Sequence, residues 1–78
     1  MKGNNKHPDL IQLGQNIRKL RKIKGFTQER LALEAGIDRS YIGGIERGER
    51  NVSILTLSNI AKCLSCYIAK LAKGIPCD

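Results

Sequence analysis

The tightest constraint on this 78-residue chain is an interval pattern: Gln28, Ala32, Gly36, Ile42 and Ile45. Two short helices that meet at a steep angle across a turn of three or four residues approach closely near the bend. Close approach needs a small side chain on the first helix, and Ala32 supplies it. The bend needs a residue that accepts positive φ, and Gly36 is such a residue. Ile42 and Ile45, three apart, give the second helix an apolar edge to set against the first. Each residue alone means little. Together they predict two helices folded back on a tight turn.

The rest of the chain reads as helix as well, with no strand-type alternation. A first helix is predicted from Pro8 or Asp9 to about Lys24, with Leu10, Leu13, Ile17 and Leu20 on one face and Gly25 as its stop. Thr27 is the N-cap of a second helix that runs to Ala35. Asp38 caps a third, which spans residues 39–47 and stops at Gly48. Ser53 caps a fourth, with Ile54, Leu57, Ile60, Ala61 and Leu64 as its apolar face. A weaker fifth helix covers about Tyr67 to Lys73 and ends at Gly74, before Pro76. The expected architecture is all-α with five helices: a polar, mobile arm over residues 1–8, one domain over 9–74 and a tail over 75–78. Its length allows one modest core.

Two charges break the apolar pattern. Arg21 lies one turn after Ile17 inside the apolar stripe, and Glu46 lies one turn after Ile42 on the inward side of its helix. An unpaired buried charge would cost several kcal/mol, so the two are predicted to form an ion pair tying the first helix to the third.

Charge narrows the choice of partner. Fourteen basic residues against seven acidic ones give a net +7. Seven of the bases (Lys2, Lys6, Arg18, Lys19, Arg21, Lys22, Lys24) fall in the first 24 residues, with Asp9 as the one acid. Such an excess suits a polyanion, because cations that neutralise phosphates release condensed counterions. Membrane-surface binding would want a basic amphipathic helix with Trp or Phe on its apolar side, yet Phe26, Tyr41 and Tyr67 are the only aromatic residues. No run approaches the roughly 20 apolar residues of a membrane span. The first eight residues hold no signal-type apolar stretch, so a cytoplasmic location is expected.

Catalysis and metal binding are not expected. His7 is the one histidine and lies near no serine or cysteine that it could activate, and no paired carboxylates share a face. Cys63-x-x-Cys66 with Cys77 falls short of a zinc ligand set and forms no even disulfide framework. Cys63 and Cys66 read as small buried hydrophobes and Cys77 as a loose tail thiol. Neither cofactor nor metal is anticipated.

With Ile42 inward, Ser40, Gly43, Gly44 and Arg47 face outward on the third helix, flanked by Arg39 and Tyr41. Adjacent glycines inside a helix cost about 1 kcal/mol each against alanine, so a reason for them is sought. A DNA major groove about 12 Å wide admits a helix, and bare backbone approaches bases without collision. Arg39, Ser40, Tyr41, Gly43 and Gly44 are therefore assigned to base reading. Arg39 can fork onto guanine O6 and N7, and Tyr41 can pack on a thymine methyl. Thr27, Gln28, Arg47, Arg50 and Asn51 are assigned to phosphates, Gln28 alongside the amides at its helix start. Lys2, Lys6, Lys19 and Lys22 are expected to be solvated charges. One such unit reads too few base pairs for selectivity, so two copies are expected on twofold-related half-sites, with helices about 34 Å apart. Tyr67, Ile68, Leu71 and Ile75 are candidates for the surface between copies, with packing inside one chain as the alternative.

The residues also carry a resemblance. Ile17-Arg18-Lys19-Leu20-Arg21, then Gly25-Phe26-Thr27-Gln28-Glu29-Arg30-Leu31-Ala32, Ile45-Glu46-Arg47-Gly48-Glu49-Arg50-Asn51 and Leu57-x-x-Ile60-Ala61-x-x-Leu64 resemble the Cro/C1-type helix-turn-helix family over about residues 10–72. The resemblance implies a lambda-repressor-like DNA-binding domain, DNA contacts at the positions of Gln28, Arg39, Ser40, Tyr41, Gly43 and Arg47, and an Arg–Glu pair at 21 and 46. The run from Asp38 to Arg47 and the short length are similar to the controllers of restriction–modification systems. Those are dimers that switch their own promoter and that of the endonuclease, which also implies contact with RNA polymerase. Antitoxins and phage repressors of the same fold, whose main partner is another protein, are the alternative. Late in the chain the pattern departs from the family: Ser65 stands where glycine is frequent, Tyr67 where a capping serine is usual, and Ala72 where a bulky side chain is common.

Overall fold

A computed structural model describes residues 6–78 and contains α1 (Pro8–Ile23), α2 (Gln28–Ala35), α3 (Arg39–Glu46), α4 (Ile54–Cys63) and α5 (Ile68–Leu71). Among the described residues there is no strand. Helix starts follow side-chain chemistry. His7 Nδ1 accepts from the Asp9 N–H at 3.0 Å, Thr27 Oγ1 from the Arg30 N–H at 3.0 Å, and Ser53 Oγ from the Thr56 N–H at 3.1 Å. Gly36 closes α2 in the left-handed region at φ +67°. Ser65, where the family favours glycine, takes φ +58° just after α4. A side chain there carries strain that glycine would not.

Three local expectations are revised. Asp38 holds the N-cap position of α3, but its carboxylate accepts no capping hydrogen bond. α5 is a single turn rather than the span to Lys73, because Ala72 already leaves helical geometry. Ile54 is 63% exposed, like Leu55 beside it at 78%, and is not part of the buried face of α4, which lies in its second half at Ile60 and Ala61. Of the arm expected over residues 1–8, residues 1–5, Lys2 included, lie outside the described residues, while His7 and Pro8 already belong to the cap and first turn of α1.

The core is built from Leu13 and Ile17 of α1, Leu31 and Ala32 of α2, Ile42 and Ile45 of α3, Ile60 and Ala61 of α4, with Leu64 and Leu71. Each fully buried isoleucine or leucine contributes roughly 1.5–3 kcal/mol. α1 packs on α3 and α5, α2 on α3 and α4, and α4 on α5. Leu71, a candidate for the surface between copies, is instead wholly buried in this core. The one-turn α5 points it back at α1, where Asn16 Nδ2 donates to the Leu71 and Lys73 carbonyls at 2.7 and 2.8 Å. Asn59 does the same for α2, donating to the Ala35 carbonyl at 2.7 Å. The tail is docked too. The Cys77 N–H donates to Asp9 Oδ1 at 2.8 Å, which lowers the Asp9 carboxyl below its ordinary range, so Cys77 is not a loose thiol.

The crossing of α1 over α3 depends on a residue the sequence pattern did not single out. A Cβ on Gly14 would sit 2.6 Å from the Glu46 carbonyl oxygen and nearer still to that of Ile45. Both obstacles are backbone and have nowhere to go. At the far end of the crossing, a Cβ on Gly48 would lie 2.9 Å from Ile11 Cα. α1 and the end of α3 therefore touch main chain to main chain.

The predicted ion pair is present at this crossing. Arg21 Nε donates to Glu46 Oε2 at 2.6 Å and Nη2 to Oε1 at 3.0 Å, a two-pronged geometry that adds direction to charge. Arg21 Nη1 donates to the Phe26 carbonyl at 2.8 Å, and Gln28 Nε2 donates to Glu46 Oε1 at 3.0 Å. Both charged residues are over 90% buried.

Arg21→Ala or Glu46→Ala should each cost about 3–5 kcal/mol in chemical denaturation, since each strands a buried charge. The pair replaced together should cost clearly less than the two singles added; simple additivity would exclude the coupling. Gly14→Ala should destabilise by about 3 kcal/mol through overpacking, although alanine is the better helix former.

Candidate nucleic-acid interface

The two-helix pattern builds an exposed cationic strip along α3 and the loop after it. Gly36 and the Ile37 N–H, which donates to the Ala32 carbonyl at 2.9 Å, turn the chain sharply between α2 and α3. Ile42 and Ile45, at 0% and 1% exposure, lock the inner side of α3 into the core. What remains outside is Arg39 and Ser40 at the start of α3, followed by Arg47, Arg50 and Asn51 beyond its end, all exposed. Thr27 is exposed at the start of α2, and Gln28 and Tyr41 are half-buried between the two groups. Contacts bring Gln28, Arg39, Tyr41, Gly43, Gly44, Arg47 and Arg50 together; Thr27, Ser40 and Asn51 adjoin them in the chain.

Gly43 and Gly44 differ from expectation. They are buried rather than open. Side chains of the strip itself cover them: a Cβ on Gly43 would lie 3.1 Å from Arg47 Nη1 and 3.6 Å from Gln28 Oε1, and one on Gly44 would lie 3.1 Å from Arg50 Cγ. The space left by the absent side chains is filled by the stems and tips of two arginines, which settle on bare helix backbone. No fixed element of the fold lies over this surface in those contacts. The cover consists of the long polar side chains that were themselves assigned to phosphates.

The arginines are held by specific partners. The Arg50 guanidinium stacks over the Tyr41 ring at 5.2 Å from its centre. Arg47 Nε lies 3.2 Å from Glu49 Oε1, and Lys6 Nζ lies 3.5 Å from Glu49 Oε2. The hydrogen bond and charge of Arg47 hold the Glu49 carboxyl below its usual range. Gln28 plays two parts at once. Its amide nitrogen donates to Glu46, which turns its carbonyl oxygen outward to accept from Arg39 Nη1 at 3.4 Å. A chain of polar contacts thus leads from buried Arg21 to exposed Arg39. The Arg47–Glu49–Lys6 cluster was not anticipated, although the alternation of charge in Glu46-Arg47-Gly48-Glu49-Arg50 was the available signal.

The cysteines take no part in the strip. Burial pushes the Cys63 and Cys66 thiols above their usual range, and Cys63 Sγ contacts Asn59 Oδ1 at 3.9 Å. Among the described residues no cluster of His, Cys, Asp and Glu could hold a metal ion, and no helix is long and apolar enough to cross a membrane.

A second surface lies around the α4–α5 turn. Leu20, Ile23, Leu64, Cys66, Tyr67 and Ala69 line a shallow apolar depression. Tyr67 is 88% exposed and Ile23 73% exposed. Ile68 and Ile75, by contrast, are half-buried against the core.

Comparison with known proteins agrees with this geometry. The model of the helix-turn-helix family matches residues 17–71. Control protein C.SmaI of Serratia marcescens is 46% identical over 59 residues, 76% of this chain and 70% of its own. The crystal structure of the restriction–modification controller protein C.AhdI from Aeromonas hydrophila superposes with a TM-score of 0.79 at 48% identity, covering 81% of this chain and 96% of that one. The structure of SinR, a master regulator of biofilm formation, in complex with DNA gives a TM-score of 0.73 at 37% identity over 76% of this chain and 95% of that one. With its five helices, its buried Arg21–Glu46 pair and its exposed cationic strip, the chain belongs to the Cro/C1-type helix-turn-helix family of DNA-binding transcriptional regulators.

Proposed function

We propose that this protein is the controller of a restriction–modification system, binding twofold-related DNA half-sites as a homodimer and switching its own gene and that of the endonuclease. The observation that carries DNA reading is the exposed strip of Arg39, Arg47 and Arg50, drawn together through Gln28, Gly43, Gly44 and Tyr41, with exposed Ser40 and Asn51 next to it in the chain. α3 enters the major groove, Arg39 and Ser40 meet base edges at its start, and Tyr41 packs beside them. Thr27, Gln28, Arg47, Arg50 and Asn51 meet the phosphate rails. Arg47 and Arg50 swing outward on contact, and α3 then approaches with the bare backbone of Gly43 and Gly44. The near-half identity to C.SmaI and C.AhdI across most of both chains supports the narrower assignment to a restriction–modification controller. RNA polymerase is the natural second partner of such a regulator, and the cytoplasm its compartment.

The apolar depression around Tyr67 supports the dimer. A bare tyrosine beside Ile23, Leu20 and Leu64 is the kind of aromatic-centred patch that anchors interfaces. In this reading Tyr67 leads the interface, with Ile68 and Ile75 lending packing from behind. Occupancy is then set by protein concentration through dimerisation, with no ligand required.

A gel shift against DNA just upstream of the protein's own gene should show a specific complex that survives random-sequence competitor; binding no tighter than to random duplex would sink the proposal. Arg39→Ala should reduce the ratio of specific to nonspecific affinity about 5- to 100-fold, the range of one lost bidentate base contact. Lys19→Ala should instead reduce the salt slope by at most about 1 and leave that ratio alone. Tyr67→Asp should weaken dimerisation at least about tenfold in sedimentation equilibrium, as expected of a central interface anchor, with the melting temperature of the monomer unchanged.

A further inference from the structure

The cationic strip contains one carboxylate, and it is doubly engaged. Glu49 lies between Arg47, at 3.2 Å, and Lys6, at 3.5 Å. All three side chains are substantially open to water, between 32% and 60% exposed. Exposed ion pairs of this kind add little to folding stability, so the cluster is poorly explained as a structural brace. The same Arg47 also lies across Gly43, with Nη1 at 3.1 Å from where a Cβ would be. Its guanidinium is thus held down on the face of α3 at one edge and by a carboxylate at the other.

We infer that Glu49 is an internal stand-in for a DNA phosphate, a competing anion that occupies Arg47 and Lys6 in the free protein and lowers affinity for any duplex. The inference rests on the DNA-binding reading of the strip. A carboxylate oxygen offers Arg47 the same anionic acceptor chemistry as a phosphate oxygen, and at 3.2 Å it sits within ion-pair reach but looser than a tight charge-assisted hydrogen bond, so a phosphate can displace it. Duplex DNA must therefore displace Glu49 from both cations before they can neutralise phosphates. Counterion release from those two positions is offset by the carboxylate they give up, which flattens the salt dependence of binding. Nonspecific binding is almost wholly electrostatic, so it bears this cost with nothing from base contacts to set against it. Glu49 is a positioning residue for Arg47. It touches no base in this arrangement.

The other carboxylates near basic side chains do not fit the role. Glu34 pairs with Arg30 one turn away on α2, an ordinary exposed helix pair outside the strip. Glu46 is buried and committed to Arg21. Asp9 is bound to the Cys77 amide.

The test uses the full chain and a short random-sequence duplex, titrated by fluorescence anisotropy across a range of salt. Glu49→Gln should tighten binding about 3- to 10-fold at low salt and steepen the slope of log affinity against log salt by about one to two, one per freed cation. Glu34→Gln, the same change in net charge outside the strip, should leave both quantities nearly unchanged. In an Arg47→Ala background the gain from Glu49→Gln should shrink by at least half. An equal gain from Glu34→Gln, or a gain undiminished by Arg47→Ala, would show a diffuse field effect and overturn the inference. Binding unchanged or weakened by Glu49→Gln would also overturn it while leaving the DNA-binding reading intact. A wild-type chain that binds no duplex at all would overturn both. Thermal melting of Glu49→Gln should match wild type, which separates the effect from any loss of fold.

Discussion

The buried contact between Arg21 and Glu46 is the constraint around which the rest of the domain is arranged. Neither charge can be left alone in the core, so α1 and α3 must meet with their side chains aligned to within hydrogen-bond tolerance. Glycine at position 14 lets the two backbones close to the required distance, and the Phe26 carbonyl and the Gln28 amide complete the polar shell. Apolar burial supplies most of the stability, but apolar contacts alone would let α3 slide or rotate by fractions of a turn. The ion pair fixes one register. That register decides which residues of α3 remain outside.

From this anchor the polar network continues outward without a break. Glu46 orients the Gln28 amide, and the amide carbonyl faces Arg39. A core charge therefore sets the orientation of a side chain that the proposed function places against base edges. The coupling is local and geometric: it passes through hydrogen bonds whose donors and acceptors are dictated by chemistry, since a carboxylate accepts only from the NH₂ end of an amide. Under the proposed function, stability and recognition share Gln28 rather than occupying separate parts of the molecule.

Much of this was legible in the linear sequence because it is written in local rules. Thr27 and Ser53 announce helix starts, Gly25, Gly36 and Gly48 announce stops, and a charge of each sign inside an apolar stripe announces the ion pair. What stayed hidden depends on contacts between residues far apart in the chain or on where flexible side chains come to rest. Gly14 carries no local signal in the sequence; its role shows only when α3 is laid across it. Gly43 and Gly44 read as open backbone until Arg47 and Arg50 fold over them, an outcome set by side-chain conformers and not by periodicity. Leu71 reads as a candidate for an interface because a short terminal helix gives no periodicity to say which side faces in; Asn16, 55 residues away, decides it. The tail likewise shows its docking only through Asp9, at the opposite end of the chain.

The placement of the two tyrosines has a practical consequence. The chain has no tryptophan, so its near-ultraviolet emission comes from Tyr41 and Tyr67. One ring lies beneath the Arg50 guanidinium in the cationic strip; the other stands bare in the apolar depression that Ile23 also lines. Replacing either with phenylalanine leaves a single native tyrosine, so the cationic strip and the apolar depression each carry their own label, and events at one can be watched without attaching a dye to the other.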